Sequence, residues 1–491
     1  MDGVTGGSGK NGNAESHESE IPSEAGLENV MKALKVPEGR PLNVVGVGAG
    51  AWGAVFISML QKEYFNMKDK IKFSIYRREG KELSKETASK ILEVINADSE
   101  VIRRLRQKGR YFKYVDARLG ERVLSAAEVL TDGFCENMLD LPLMPLRVIT
   151  DLTEAVWDAD VIVNSIPSSN IRPVFEVIGN LVRERGRHPV VISLAKGIEY
   201  KECPEPHVLT PSGIIHDVTG IPKENIFYLG GPNIASEVWK GEYATARICG
   251  LSKTLRRALA SLIRNDSFVV WDNPDIVNHE IMGGLKNVYA IGAGIIKGAA
   301  KNSATSMAVY FSNACAEMVF ISQLLTGVRD PVYLTGPLLA DVYVTLLKGR
   351  NAWYGEQVAL GNVNPENGPY VPGKGLIEGV GAVGNFHRLL SDSRLTIPDP
   401  KTEIACSPIA LLPTLSALND VFSRKKSEPL LTSKQKLRRK SNPRKPQTGF
   451  QDPGQYFLAQ MKDATATDPE ARLHIFEGAH LTTQTSNAEG Q

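Results

Sequence analysis

The sequence predicts an α/β fold in which a domain built on a parallel sheet precedes a second, mostly α-helical domain. Between residues 42 and 271, short runs rich in Val and Ile alternate with segments of helix length, as in βαβ units whose strands are buried on both faces. After about Asp272, apolar residues recur mainly at helical spacing. We therefore expect domains at residues 41–272 and 273–422.

The individual elements follow from the same patterns. Strands are predicted at Leu42–Val47, Ile71–Tyr76, Arg147–Thr150, Val161–Ser165, Val190–Leu194, Ile226–Leu229, Ala244–Cys249 and Phe268–Trp271. Helices are predicted at Ala51–Tyr64, Ile171–Glu184, Ile276–Lys297, Ser303–Leu325, Val332–Leu347 and Leu376–Leu390. The segment Lys81–Asp140 has no assignment.

Both ends of the chain are polar. Residues 1–40 are rich in Gly, Ser, Asn and Glu, and residues 423–491 begin with a dense Lys/Arg run at 424–445. Such segments bury too little apolar surface to offset the entropy lost on ordering, so both are predicted to be disordered. The basic run is interpreted as a solvated tail, with a nuclear-import or acidic-partner patch as the alternative.

The overall composition excludes several classes of protein. Lys+Arg of 57 against Asp+Glu of 55 gives a net charge of +2, so nothing global indicates a nucleic-acid or membrane partner. The five cysteines are far apart and lack metal-ligand spacing, which favours free thiols in a reducing compartment. We see no apolar run of roughly 18 residues and no signal peptide, and expect a cytoplasmic protein without a metal.

A glycine-rich turn follows the first predicted strand, with the sequence Gly48-Ala49-Gly50-Ala51-Trp52-Gly53. This is the G-x-G-x-x-G pattern of a dinucleotide-binding turn, in the required position between a strand and a helix. The first glycine permits the tight turn, the second admits the pyrophosphate, and the third allows the helix to pack closely. The first domain is therefore predicted to be of the Rossmann type.

The end of the second strand bears on the choice of cofactor. An acidic residue there would bind the ribose 2′-hydroxyl of NAD, but the strand ends in Tyr76-Arg77-Arg78 and Glu79 follows. The two arginines could face the 2′-phosphate of NADP, stack on adenine, or be ordinary surface charges. The residues alone leave NAD and NADP open.

Two lysines are candidate catalytic groups. Lys196 follows a strand of the sheet, where α/β folds bind ligands, and Lys286 lies inside an apolar helical segment. A charge within such a helix must face a partner or a cavity. Taken alone, each could equally be a lysine whose stem packs on apolar surface while its ammonium reaches water.

Five motifs in order give the chain a resemblance to a known family. They are the glycine turn with its Trp-Gly end, Ser193-Leu194-Ala195-Lys196-Gly197, Gly231-Pro232-Asn233-Ile234-Ala235-Ser236-Glu237-Val238, Asn273–Val277 with Gly283–Asn287, and Ala340–Thr345 with Gly349-Arg350-Asn351. Over roughly residues 42–390 the sequence resembles the NAD-dependent glycerol-3-phosphate dehydrogenases. The two-domain arrangement is also that of the family.

The resemblance implies a role for each matching residue. Lys286 is implied as the catalytic lysine that protonates the carbonyl oxygen of dihydroxyacetone phosphate, and as the base in the reverse direction. The polar pocket around it would be completed by Lys196, Asn287, Asp341 and Thr345. Arg350 and Asn351 would anchor the phosphate. The cofactor NAD would contact the glycine turn and Ala235, Arg350 and Glu378.

The resemblance further implies a cytosolic homodimer whose substrates are small molecules. Two alternatives remain. One is another two-domain β-hydroxyacid-type dehydrogenase, of the 6-phosphogluconate or hydroxyisobutyrate type, although Gly349-Arg350-Asn351 argues against it. The other is a catalytically silent cofactor-binding sensor, which predicts loss of Lys286 or Arg350; both residues are present.

Overall fold

The computed structural model of the chain describes residues 24–67, 69–78, 112–116, 120–124, 147–239, 241–328, 335–372, 374–399, 402, 404–423, 430, 435–436, 450–465 and 482–483. Most of Lys81–Asp140, which had no assignment, lies outside the described residues. Within it the structure describes one antiparallel hairpin, formed by β3 (Phe112–Asp116) and β4 (Gly120–Leu124).

An eight-stranded sheet forms the centre of the first domain. Its strands are β1 (Leu42–Val47), β2 (Ile71–Tyr76), β5 (Arg147–Ile149), β6 (Val161–Asn164), β7 (Val190–Ser193), β10 (Ile226–Gly230), β11 (Ala244–Cys249) and β12 (Phe268–Asn273). They lie in the order β12-β11-β10-β7-β6-β1-β2-β5. A hairpin of β8 (Glu199–Lys201) and β9 (His207–Leu209) lies between β7 and β10 in sequence.

The predicted parallel sheet is confirmed for six of these strands, from β10 to β5. The prediction is wrong for the remaining two, because β11 runs antiparallel to β10 and pairs in parallel only with β12. An apolar run indicates that a strand is buried, but it carries no information about the direction in which the strand crosses the sheet.

Helices cover both faces of this sheet. They are α1 (Glu24–Ala33), α2 (Ala51–Glu63), α3 (Leu152–Trp157), α4 (Ile171–Arg185), α5 (Pro211–Thr219), α6 (Ala235–Trp239) and α7 (Lys253–Ile263). Val44 and Val163 belong to the core that includes residues of α1, α2 and α7. Val45 and Ile162 belong to the core on the opposite face, with α3, α4 and α5. This alternation follows from the two-residue period of a strand.

The second domain is mostly helical, as predicted. Its helices are α8 (Ile276–Ala299), α9 (Ala304–Thr326), α10 (Gly336–Leu347), α11 (Arg350–Ala359), α12 (Glu378–Leu390), α13 (Pro413–Ser423) and α14 (Pro453–Thr465). Its short strands are β13 (Tyr370–Val371), β14 (Gly375–Leu376), β15 (Leu395–Pro398), β16 (Ala405–Cys406) and β17 (Thr482–Thr483). Every residue of α8 from Asn278 to Ile296 is buried, so α8 is the core helix of the domain.

Two glycines bring α8 and α11 into backbone contact. A Cβ on Gly355 would lie 1.9 Å from the carbonyl oxygen of Ile291, and one on Gly294 would lie 1.9 Å from that of Ala352. No larger residue fits at either position without moving a helix. This contact fixes the start of α11, which carries predicted site residues, against α8, which carries Lys286.

The predicted disorder of residues 1–40 is wrong for residues 24–40. Helix α1 packs on α7, with Leu27 and Val30 fully buried, and Lys70 forms a salt bridge with Glu24. The apolar residues recur at three-residue spacing and form a stripe along one face of a short helix. A composition averaged over a polar segment does not reveal such a stripe.

The predicted disorder of residues 423–491 is likewise wrong for α14. Phe457 and Tyr456 are buried against the helical core; the Phe457 ring lies 6.1 Å from that of Tyr310. The Tyr456 hydroxyl donates a hydrogen bond of 2.6 Å to Asp420. The basic run at 424–445 lies mostly outside the described residues.

Helix α9 is long and apolar enough to meet a length-and-composition criterion for a membrane span. The helix was predicted at Ser303–Leu325, but not as a candidate span, because Ser and Asn residues interrupt its apolar run. More than half of the apolar window is buried inside the structure, and buried core helices of globular proteins also meet this criterion.

Candidate active site

The glycine turn joins β1 to α2 at the carboxyl edge of the sheet. Gly48 has a φ of +105°, and a Cβ there would lie 2.7 Å from Cγ2 of Ile166. A Cβ on Gly50, in contrast, would meet no atom of the described residues closer than 4.0 Å, so its backbone is open to a ligand. In the described part of the chain no side chain caps the start of α2, which leaves N–H groups for an anion. The turn therefore fits a dinucleotide pyrophosphate.

Ser165, which no sequence motif indicated, supports this turn. The Ser165 hydroxyl donates a 2.7 Å hydrogen bond to the carbonyl oxygen of Gly48. A Cβ on Gly53 would lie only 2.0 Å from the same hydroxyl, so the third glycine is required for this contact. Ser165 directly follows β6, and its role depends on β6 lying beside β1, which the sequence does not state.

The remaining residues of the turn differ in what they offer to a cofactor. The indole of Trp52 packs against Phe56 and Phe268, with ring centroids 5.8 and 6.1 Å apart, so its side chain belongs to the core. Ala49 is half-buried in the turn, and Ala235 is half-buried at the first position of α6. Trp52 can therefore contact a cofactor mainly through its backbone.

The chain crosses the sheet in two directions from β1. It proceeds from β1 to β2 and β5 on one side, and then returns to β6 on the other side of β1. Ligands of α/β folds bind in the crevice at such a reversal, beyond the carboxyl ends of the strands. The glycine turn and Lys196 both follow strands at this edge.

Two lysines from different domains share one buried carboxylate. Lys286 on α8 forms a salt bridge with Oδ1 of Asp341 on α10. The Lys196 ammonium, from the loop after β7, lies 3.5 Å from Oδ2 of Asp341. Lys286 is 2% exposed and Asp341 is 3% exposed, whereas Lys196 is half-buried. The three predicted residues are thus brought together at the cleft between the domains.

The electrostatics of this cluster suit proton transfer. Burial lowers the pKa of Lys286 to about 7; the Lys196 ammonium acts in the same direction, and the Asp341 carboxylate opposes both. A general acid works best when its pKa lies near the working pH. Lys286 can therefore both release and accept a proton near neutrality.

Two asparagines connect three helices beside Lys286. The Asn351 amide nitrogen donates a 3.0 Å hydrogen bond to Oδ1 of Asn287, and the Asn351 amide oxygen accepts a 3.0 Å bond from the backbone N–H of Gly379. Asn287 follows Lys286 on α8, and Asn351 is the second residue of α11. These contacts fix α8, α11 and α12 relative to one another, a role that spacing alone does not reveal.

Arg350 begins α11 and is exposed at the cleft. Among the described residues its guanidinium donates one hydrogen bond, of 3.4 Å, to the carbonyl oxygen of Lys374. Most donors of the guanidinium remain available, as expected of a phosphate anchor. Thr345, one turn after Asp341 on α10, is half-buried on the same side of that helix.

Glu378, the first residue of α12, closes the cleft from the helical side. Burial raises the pKa of its carboxyl, while Arg350, Lys196, Lys286 and a hydrogen bond from the backbone N–H of Ser168 act in the opposite direction. A cavity of about 500 Å³ lies beside it between the two domains. It is lined by Ser168, Ser169, Arg172, Gly197, Glu199, Tyr200, Leu376, Asn385, Arg388 and their neighbours.

Two further polar groups at the cleft were not singled out from the sequence. The side-chain oxygen of Asn233, two residues before Ala235, is buried with no hydrogen-bond partner among the described residues. Tyr228, the middle residue of β10, is fully buried, and a Cβ on Gly283 of α8 would lie 2.6 Å from its hydroxyl. A buried acceptor that has no partner among the described residues is consistent with a bound ligand that supplies the donor.

Comparison with known families supports this description. The sequence model of the NAD-dependent glycerol-3-phosphate dehydrogenase N-terminus matches residues 138–255, and that of the C-terminus matches residues 275–403. Cytosolic NAD⁺-dependent glycerol-3-phosphate dehydrogenases of Arabidopsis thaliana are similar to the chain. One is 46% identical over 463 residues, 94% of each chain, and another is 51% identical over 401 residues, 81% of this chain and 87% of its own.

Solved structures share the fold. Glycerol-3-phosphate dehydrogenase of Plasmodium falciparum superimposes with a TM-score of 0.56 at 18% identity, over 80% of this chain and 94% of its own. The Saccharomyces cerevisiae enzyme gives 0.52 at 19% identity, over 78% and 97%. The two-domain fold, the two family matches and the plant relatives agree, and the chain belongs to the NAD-dependent glycerol-3-phosphate dehydrogenase family.

Proposed function

We propose that this protein catalyses the reversible reduction of dihydroxyacetone phosphate to sn-glycerol 3-phosphate with NADH. The observation that carries the proposal is the buried Lys286, which shares Asp341 with Lys196 beside an uncapped, glycine-rich cofactor turn. Bound NADH supplies the hydride; all other chemistry falls to the residues of the chain.

Lys286 acts as the general acid in the direction of reduction. Its ammonium donates a proton to the carbonyl oxygen as negative charge develops there, and in the reverse direction its neutral amine removes the proton from the hydroxyl. A preformed cation in a water-poor site stabilises developing oxyanion charge strongly. Asp341 holds both lysine ammoniums in position, and Lys196 contributes a second positive charge to the same site.

Arg350 and Asn351 bind the phosphate of the substrate, and Asn287 and Thr345 complete the polar pocket around Lys286. The support is the exposed guanidinium at the start of a helix, where its charge and the N–H groups of α11 both favour an anion. The phosphate does not react, but its binding orients the carbonyl towards Lys286.

NAD rather than NADP is the proposed cofactor, with the pyrophosphate at Gly48–Gly53 and the nicotinamide half near Ala235, Arg350 and Glu378. The plant relatives carry NAD⁺ in their names, and these names favour NAD over the alternative that Arg77 and Arg78 leave open. The same names describe cytosolic enzymes, in keeping with the cytoplasmic location expected from the sequence.

We further propose a homodimer in solution, without a nucleic-acid or membrane partner. The family resemblance supports the dimer. Light scattering at micromolar protein concentration distinguishes a mass near twice 53.6 kDa from that of a monomer.

The test of the activity is the loss of NADH absorbance when dihydroxyacetone phosphate is added to the purified full-length chain. Glycerol 3-phosphate with NAD⁺ should restore the signal in the reverse direction. 6-Phosphogluconate and hydroxyisobutyrate with NAD⁺ are the matched controls. Turnover of either control in place of glycerol 3-phosphate would instead favour another β-hydroxyacid-type dehydrogenase, and no turnover of any substrate would favour a silent cofactor sensor.

A further inference from the structure

A second carboxylate on the catalytic helix, Glu280, is buried and has no part in the chemistry described above. It is 1% exposed and lies six residues before Lys286 on α8. At a rise of about 1.5 Å per residue, the two residues are roughly 9 Å apart along the helix axis. A buried carboxylate is costly unless its oxygens accept hydrogen bonds, so its partners indicate its role.

The partners of Glu280 come from the other domain. The backbone N–H of Ser212 donates a 2.8 Å hydrogen bond to Oε1, and the Ser212 hydroxyl donates to Oε2. The Thr210 hydroxyl is a third donor. Ser212 is the second residue of α5, and Thr210, at the N-cap position of that helix, makes no side-chain cap of its own. Glu280 therefore caps the start of α5 from across the domain boundary.

The segment that Glu280 holds is the one that carries Lys196. After Lys196 the chain forms the β8–β9 hairpin and then enters α5. The same segment contacts the helical domain again at Ile198, whose carbonyl oxygen accepts a 2.9 Å hydrogen bond from Asn385. The position of the helical domain against the sheet domain is thus set by polar contacts from α8 and α12 to this one segment.

We propose that Glu280 is a positioning residue of the reaction: by capping α5 from α8, it fixes the catalytic helix against the cofactor domain and so holds Lys286 in line with the bound nicotinamide. The inference rests on the proposed function. A shift of α8 of about 1 Å would carry α11 and its substrate-binding residues along with Lys286, but would misalign all of them with the cofactor domain, which can cost roughly 10²-fold in rate.

The charged and titratable groups around Glu280 are few among the described residues. Tyr228 of β10 and Cys249 of β11 face it, and burial raises the pKa of both well above the usual values. Neither supplies a positive charge. The hydrogen bonds from α5 are therefore the interactions that hold the carboxylate, and removal of the carboxylate removes this cap.

The chain provides a matched control in Glu317 of α9. This carboxylate is 0% exposed and caps α13 by accepting hydrogen bonds from the backbone N–H groups of Thr414 and Leu415, at 2.9 and 3.2 Å. Tyr289 donates a further 2.9 Å bond to it. Thr414, Leu415 and Tyr289 all belong to the helical domain, so Glu317→Ala removes a comparable buried cap that lies within that domain.

The experiment compares Glu280→Ala, Glu280→Gln and Glu317→Ala in the full-length enzyme, at a temperature where circular dichroism shows each to be folded. Glu280→Ala should lower kcat by about 10²-fold with KM for dihydroxyacetone phosphate and NADH affinity changed less than about threefold. Glu280→Gln keeps an acceptor for Ser212 and should recover most of kcat. Glu317→Ala should lower Tm while kcat stays within about twofold.

The proposal is overturned if Glu280→Ala keeps kcat, or if Glu280→Ala and Glu317→Ala lose kcat in proportion to their loss of stability. If Glu280→Ala does not fold, the test is made with Ser212→Ala, which removes one hydrogen-bond donor to Glu280. This variant should lower kcat by about threefold or more. An unchanged kcat would refute the positioning role of Glu280. Absence of turnover in the unmodified enzyme would instead refute the proposed function.

Discussion

Replacement of Lys286 by methionine tests the proposed mechanism most directly. The side chain is 2% exposed, and methionine is close to it in length and apolar, so the variant removes the ammonium without leaving a large cavity. Asp341 keeps Lys196 as a partner at 3.5 Å, so the buried carboxylate is not left without a cation. The protein should therefore remain folded, and the kinetic effect can be assigned to chemistry.

The expected loss follows from the role of a general acid. Removal of such a group lowers kcat by about 10²–10⁴-fold, which corresponds to roughly 2.7–5.4 kcal/mol of transition-state stabilisation. NADH affinity should change little, because the pyrophosphate turn at Gly48–Gly53 lies on the other domain. The measurements are kcat at saturating substrate by NADH absorbance, and NADH binding by fluorescence.

Lys297→Met is the control. It lies near the end of the same helix, is 42% exposed at its side chain, and pairs with Glu356 at 2.9 Å. Exposed pairs of this kind contribute about 0–1 kcal/mol, so this variant should behave as the parent enzyme. If folded Lys286→Met keeps more than about a tenth of kcat, the proton comes from another group, and Lys196 is the next candidate.

The remaining predictions concern substrate, pH, cofactor and the chain ends. Arg350→Ala should raise KM for dihydroxyacetone phosphate strongly and lower kcat, but should affect phosphate-free dihydroxyacetone far less; equal losses for both would contradict the phosphate anchor. Because the pKa of Lys286 is lowered to about 7, kcat/KM for reduction should fall as pH rises through that value while oxidation becomes faster, as measured by pH–rate profiles in both directions. NADH should have the higher kcat/KM; a tenfold preference for NADPH would assign a 2′-phosphate site to Arg77 and Arg78. Deletion of residues 424–491 removes the buried Tyr456 and Phe457, each stabilising by about 1.5–3 kcal/mol, and should lower Tm by several degrees, whereas deletion of residues 1–23 should not.

Local patterns in the sequence were sufficient to predict much of the fold. The strands Leu42–Val47 and Ile71–Tyr76 have their predicted bounds, and the helix predicted at Ile276–Lys297 ends two residues later than expected. In each case a continuous apolar run or a helical period is bounded by turn or capping residues. The antiparallel placement of β11 and the packing of α1 and α14 were missed, because both depend on contacts between segments distant in sequence.

The candidate site likewise contains residues that the sequence motifs identified and residues that only the folded structure reveals. The motifs correctly identified Lys196, Lys286 and Asp341 as neighbours, because the resemblance carried their three-dimensional relation. Ser165 and Glu280 were not found, since each acts through a contact made only after folding, with Gly48 and with Ser212 respectively. A serine after a strand or a glutamate in an apolar helix is too common to be recognised without its partner.

The charges at the cleft account for the choice of a phosphorylated substrate. With all groups ionised, Lys196, Lys286 and Arg350 contribute three positive charges and Asp341 and Glu378 two negative ones, which leaves a net charge of +1 in a partly buried site. Burial and the neighbouring Lys196 ammonium lower the pKa of Lys286, so its protonated form is disfavoured before substrate binds. A phosphate dianion bound at Arg350 would compensate the excess and favour the protonated lysine. Binding of the substrate phosphate would thereby orient the carbonyl and favour the state of Lys286 that carries the proton needed for reduction, which an uncharged ketone could not do.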